Sequence, residues 1–154
     1  MNDLDVYLRP VTLDDAKLLF EWRNDKTARR NYFNSRLLAY EEHLAWLKRT
    51  LNDKKVLFFI LEVEGQSVGQ IRLTPEEDNL SISYSVDSKQ RGKGYGAKLL
   101  ALIEHKIVFC MGKQDLIGEV KKDNIGSQKV FERLGYVRED KGDYINYKKT
   151  IGGR

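Results

Sequence analysis

Cysteine, histidine and long apolar runs are scarce in this chain, and each scarcity removes a class of protein. Cys110 is the single cysteine, so no internal disulfide forms, and with two histidines there is no ligand cluster for a structural zinc. No metal is expected. The longest apolar run, residues 56–61, is far short of the roughly 20 residues that cross a bilayer. Residues 1–10 carry two acids and no apolar signal core, so the chain reads as cytoplasmic, with no membrane partner. No repeat, low-complexity stretch or linker interrupts the sequence, and 154 residues suit one domain spanning 1–154. Cys110 follows an apolar helical stretch and is expected to be buried as a small hydrophobe.

What is present is an ordinary globular composition with a basic excess. The net charge of +4 suits a polyanionic partner, but the cations are spread along the chain among acids. Nucleic acid is not required, and clustered cations with exposed aromatics on one sheet face, as an RNA-binding domain needs, are not seen. The phosphates of a small ligand account for the same bias. Nothing here separates a monomer from a homodimer.

Hydrophobic period gives the elements. An extended segment around Val6-Tyr7-Leu8 precedes Thr12, a helix N-cap with Asp15 three positions on, and Ala16, Leu19 and Phe20 share one face of the helix that follows. Trp22-Arg23-Asn24 falls at its end. Residues 29–35 show no period, and Tyr40, Leu44, Leu47 and Leu51 mark the apolar face of a second helix, with His43 and Trp46 off that stripe. Residues 56–63 and a return strand through Val68, Ile71 and Leu73 form a hairpin about Glu64-Gly65-Gln66. After a polar loop at residues 74–79, residues 80–86 alternate strictly, with serine at every second place. A long helix from Ala97, a strand at 115–120, a helix from Asn124 closed by Gly135, and final strands at 136–137 and 144–150 complete the order. The pattern predicts a mixed α/β (α+β) sheet of six to seven strands with about four helices.

The chemistry is concentrated in the turn Gln90-Arg91-Gly92-Lys93-Gly94-Tyr95-Gly96, between the alternating strand and the long helix. Free backbone N–H groups and the positive helix end favour phosphate there, glycine admits close approach, and Arg91 and Lys93 add charge. A strand-to-helix corner also uses glycine for shape alone. The Walker pattern is absent, and the dinucleotide fingerprint lacks its third glycine because Ala97 follows Gly96.

With Gly94 and Gly96 at its small positions, this turn resembles the acetyl-CoA motif of the GNAT acetyltransferases. A second match lies in residues 124–136, where Asn124 and Ser127 open a helix that ends in Leu134-Gly135-Tyr136. The resemblance covers roughly residues 56–137, with Arg9-Pro10 similar to the family's usual opening. It implies a mostly antiparallel sheet splayed into a V, with the pantetheine arm of acetyl-CoA in the gap. By that resemblance Ser85, Val86 and Asp87 contact pantetheine through their backbone, residues 91–96 wrap the pyrophosphate, and Asn124, Ser127 and Phe131 line the other side. Asn124 reads equally as a helix N-cap.

Acetyl transfer to an amine needs a proton acceptor and a donor for the departing thiolate. Glu119, at the splayed end of its strand, is the candidate base, and reads otherwise as an exposed acid or a partner for Lys121. Many GNAT relatives carry tyrosine where Phe131 stands, and phenylalanine donates nothing. Ser127 and Tyr84 are candidate donors, Tyr84 reading also as a core or cleft-wall residue. The N-terminal third resembles the subgroup that acetylates nucleotide-linked amino-sugars, of the pseudaminic-acid pathway type. That likeness makes Arg23, Asn24, Phe33, Asn34, His43 and Trp46 candidate acceptor contacts, each also readable as a cap, turn or interface residue. The expected reaction is direct N-acetylation of a nucleotide-linked amino-sugar in a ternary complex. The alternatives are a protein N-terminal acetyltransferase of ribosomal-protein type and, because of Phe131, a non-catalytic acyl-CoA-binding module.

Overall fold

The computed structural model describes residues 5–152. Seven strands form one sheet: β1 (Val6–Pro10), β2 (Leu57–Val63), β3 (Gln66–Glu76), β4 (Asn79–Val86), β5 (Gln114–Lys121), β6 (Val137–Asp140) and β7 (Tyr144–Ile151). Their order is β1-β2-β3-β4-β5-β7-β6, antiparallel throughout except between β4 and β5. The helices are α1 (Ala16–Asn24), α2 (Lys26–Asn31), α3 (Tyr40–Asn52), α4 (Tyr95–Met111) and α5 (Ile125–Arg133).

Strand alternation divides the interior in two. One sheet face carries Leu61, Ile71, Leu73, Leu80, Ile82 and Leu116 into the main core, against Leu99, Leu100, Ile103 and Ile107 of α4 and Phe131 of α5. The other packs Phe58 and Ile60 against Ala16, Leu19, Trp22 and Leu47 of α1 and α3. Each leucine, isoleucine and phenylalanine buried here contributes about 1.5–3 kcal/mol relative to exposure. Arg9 fixes α1 to this edge, donating to both Asp15 carboxylate oxygens at 2.8 and 2.9 Å and to Glu62 at 3.2 Å. Asp15 also accepts from the Thr12 N–H, which completes the expected capping box.

Where sequence reading and structure part, backbone geometry explains the difference. Five α-helices stand where about four were expected, because residues 26–31 make a short helix with Ala28 as its buried residue, too short to show a period. Asp25 starts it, its carboxylate accepting from the Ala28 N–H at 3.0 Å. Residues 74–79 are no loop: Thr74, Pro75 and Glu76 pair with Ser81, Leu80 and Asn79, and the turn is Glu77-Asp78, with Glu77 at φ 56°. The odd spacing of Val68 and Ile71 is a bulge, since Leu61 pairs with Gly69 and Glu62 with Ser67, leaving Val68 between them. On α3 the fully buried residues are His43 and Leu47, because the helix turns its His43 side to the sheet. Cys110 is exposed, in a last turn of α4 that also leaves Phe109 in solvent.

Pairing between β4 and β5 stops after Asn79–Asp115, Leu80–Leu116 and Ser81–Ile117. Beyond it β4 continues to Val86 and β5 to Lys121 without bonding each other. The sheet is therefore splayed, and the gap holds the candidate site.

Candidate active site

A cleft of about 590 Å³ fills the gap, walled by the free ends of β4 and β5, the 90–96 turn and α5. Of the residues expected to hold acetyl-CoA, all but Asp87 and Lys93 line it. Asp87 instead accepts from Trp22 Nε1 at 3.1 Å and from the Lys89 N–H, and Lys93 Nζ donates to Gln90 Oε1 at 2.9 Å. The turn fits a pyrophosphate on its own geometry. Gly92 and Gly94 sit at φ 79° and 83°, where a Cβ is strained although nothing lies within 4 Å. Gly94 caps α4 with no side-chain bond, so the first N–H groups of the helix stay available to an anion. Arg91 stands beside it, paired with Asp25 at 3.2 Å.

On the far wall Asn124 is the N-cap of α5, its Oδ1 accepting from the Ser127 N–H at 3.2 Å. Gln128, which sequence reading passed over, holds the preceding loop by donating to the carbonyls of Lys121 and Lys122. Phe131 belongs to the core as much as to the cleft. It stacks on Tyr147 at 5.2 Å, meets Tyr84 and Tyr136 edge-on, and lies so close to β5 that a Cβ on Gly118 would fall 2.4 Å from its ring.

A pair of hydroxyls lies beside Phe131. Tyr84 Oη and Ser127 Oγ are 2.8 Å apart, and both residues line the cleft. Burial pushes the Tyr84 phenol up to about 12, against the opposing effect of its Ser127 hydrogen bond. It therefore stays protonated at neutral pH, and either hydroxyl of the pair can donate to the other. Glu119 is exposed on the opposite wall and makes no ion pair among the described residues. Lys121, its possible partner, donates instead to the Arg30 carbonyl at 2.9 Å. The Ser81–Ile117 pairing puts Glu119 on the same sheet face as Ser81, Ser83 and Ser85.

That face floors a second cavity, of about 380 Å³, roofed by α1, α3 and the 32–38 segment. Arg23, Phe33, Asn34, His43 and Trp46 all line it. Asn24 does not, since its amide donates to the Leu38 carbonyl and accepts from the Leu38 N–H, both at 3.0 Å, which fixes the segment carrying Phe33 and Asn34. His43 lies against Trp46 at 5.5 Å, and burial holds its pKa below the ordinary value, so it is neutral at pH 7. Its Nε2 is buried without a partner, as are Arg23 Nη1 and Gln70 Oε1. Gln70, Arg72, Ser83 and Ser85 make the floor, Gln70 opposite Ser85 and Arg72 opposite Ser83 across β3 and β4. Sequence reading missed Gln70 and Arg72; their signal was their place on the parity opposite Ile71 and Leu73. The cavity and the cleft share Tyr32, Phe33, Ser83 and Ser85 along their linings.

A splayed sheet, a glycine turn at a helix start and an adjoining polar cavity give room for a phosphate-bearing ligand beside a second molecule, and comparison with known proteins supplies the family. The family described as acetyltransferase (GNAT) domain matches residues 5–137. The chain belongs to this family. It is an acetyltransferase domain of GNAT type. An uncharacterized protein of Methanocaldococcus jannaschii is 27% identical over 147 residues, covering 92% of this chain and 30% of that protein. The acetyltransferase PseH of Campylobacter jejuni is 25% identical over 132 residues, covering 84% and 83%. The chain thus spans under a third of the first relative's length and most of the second's. Among solved structures, RimL, a ribosomal L7/L12 alpha-N-protein acetyltransferase in complex with coenzyme A, superposes with a TM-score of 0.82 at 14% identity, covering 97% and 96%. No helix among the described residues is long and apolar enough to cross a membrane.

Proposed function

We propose that this GNAT enzyme transfers acetyl from acetyl-CoA to the amino group of a nucleotide-linked amino-sugar, directly and in a ternary complex. The observation that carries the reading is the junction of the two cavities along Ser83 and Ser85, which brings an acceptor in one beside a thioester in the other. Similarity to PseH points the same way.

In this reading the 91–96 backbone and Arg91 hold the pyrophosphate, while Ser85, Val86, Asn124 and Ser127 flank the pantetheine arm. Acetyl-CoA supplies an activated acyl group whose thiolate leaves readily. Glu119 takes the proton from the attacking amine, which must be neutral to use its lone pair. Tyr84, braced by Ser127, donates a hydrogen bond to the departing sulfur, the role Phe131 leaves vacant. Arg23, Phe33, Asn34, His43 and Trp46 contact the acceptor, and Asn24 positions the segment that carries two of them.

The likeness to RimL keeps a second reading, acetylation of a ribosomal-protein N-terminus. Release of free CoA, followed with nucleotide amino-sugars and with N-terminal peptides as acceptors, separates the two. Turnover of the sugars supports the first; turnover of peptides alone sinks it.

A further inference from the structure

The second cavity has an unusual charge balance. Its lining includes two arginines and no aspartate or glutamate. Arg72 rises from the middle of β3, directly opposite Phe58 on β2 and Ser83 on β4. Its guanidinium carbon lies 4.9 Å from the centre of the Trp46 ring and 5.6 Å from that of Phe58. Burial lowers its pKa, and no carboxylate stands near enough to raise it. Arg23, on the helical side, has Tyr32 4.4 Å from its guanidinium and gives one hydrogen bond, to the Asn34 carbonyl at 2.7 Å, leaving Nη1 buried and unpartnered. Its charged neighbours Arg29 and Arg36 repel it.

A buried cation is ordinarily matched by an acid, because desolvating it without compensation is costly. Aromatic contact offsets part of that cost for the half-buried Arg72. It leaves the in-plane N–H fork of Arg72 open, and that fork matches a phosphate or carboxylate. Trp46 and Phe58 hold the guanidinium in place so that little side-chain freedom is lost when an anion arrives. The neutral His43 Nε2 and Gln70 Oε1 are acceptors in the same cavity, suited to hydroxyl donors on the same molecule.

We infer that Arg72 is a specificity-determining residue that requires the acceptor to carry an anionic oxygen group, a phosphate or a carboxylate, in addition to its amine. This rests on the reading of the second cavity as the acceptor site, and it sharpens that reading. A neutral amino-sugar, an aminoglycoside-like polycation or an uncharged peptide end brings nothing to compensate Arg72 and Arg23.

The test compares wild type with Arg72→Gln and Arg72→Lys, using CoA release with three acceptors: glucosamine, glucosamine 6-phosphate and a UDP-linked amino-sugar. Calorimetric binding of UDP to protein already saturated with CoA is the second readout, since saturation blocks the cofactor's own phosphate site. CoA affinity of each variant reports that the fold is intact. Wild type is expected to prefer an anionic acceptor over glucosamine, or to bind UDP, with Arg72→Gln weakening that preference or binding at least tenfold and Arg72→Lys less. An anionic preference that Arg72→Gln leaves unchanged, or no preference and no UDP binding in wild type, overturns the inference. If glucosamine 6-phosphate is used in an Arg72-dependent way while UDP and the UDP-linked sugar are refused, the anion requirement stands and the nucleotide reading falls.

Discussion

The cleft and the cavity adjoin along one strand yet are made of different material. The cleft is built from backbone: a glycine turn, the uncapped start of α4 and two strand ends that have stopped pairing. The cavity is built from side chains drawn from two helices, the 32–38 segment and three strands, and several of its polar atoms have no partner. A backbone site binds what never varies, the phosphate and amide groups of a cosubstrate. A side-chain site can be re-specified by single substitutions, so family membership fixes the first and leaves the second to be read residue by residue.

Substitutions at the junction should break this division most strongly. Glu119→Gln is expected to lower kcat by about 100- to 10,000-fold, the range for loss of a general base, with CoA affinity unchanged. An effect on CoA affinity instead would move Glu119 into the cosubstrate site. Tyr84→Phe removes a donor to developing negative charge, worth about 1.5–3 kcal/mol, and is expected to lower kcat by roughly 10- to 100-fold. Because burial holds the phenol near 12, the wild-type rate should show no Tyr84 titration between pH 6 and 9. A wild-type limb in that range that Tyr84→Phe abolishes would contradict this assignment.

Backbone and side-chain effects should then separate cleanly. Gly94→Val forces a β-branched residue into the left-handed region, at about 1–2 kcal/mol or more, and should raise the Kd for CoA roughly tenfold while UDP binding persists. The smallest effect concerns His43. Burial depresses its folded-state pKa below about 6.5. As pH falls through that value the unfolded chain takes up a proton that the folded one resists, so stability is fully present above it and declines below. Chemical denaturation between pH 7 and 5 should show this decline, and His43→Phe should flatten it.

What could be read from the sequence follows the same division. Gly92, Gly94, Gly96 and the Asn124 cap announce themselves because backbone needs at a turn restrict residue type. The splay was legible only through family resemblance, since the loss of pairing after Ser81–Ile117 leaves no local mark. Arg72 and Gln70 leave little signal because the bulge at Val68 disturbs the alternation, running through Val68, Ile71 and Leu73, that would expose the other face. The apolar period of α3 leaves His43 off its stripe, yet it is among that helix's most buried residues. An aromatic-lined polar cavity recruits histidine where a period count asks for leucine. Phe131 is legible as a departure from the family, but the Tyr84–Ser127 pair beside it depends on a contact 43 residues apart in sequence.

The proposed reaction requires both substrates to be bound at once, one in each cavity, before acetyl moves. Initial rates of CoA release over a grid of acetyl-CoA and UDP-linked amino-sugar concentrations test it most directly. Double-reciprocal lines that intersect are predicted. Parallel lines, or no turnover of the sugar beside turnover of an N-terminal peptide, would contradict a ternary complex with a nucleotide-linked amino-sugar.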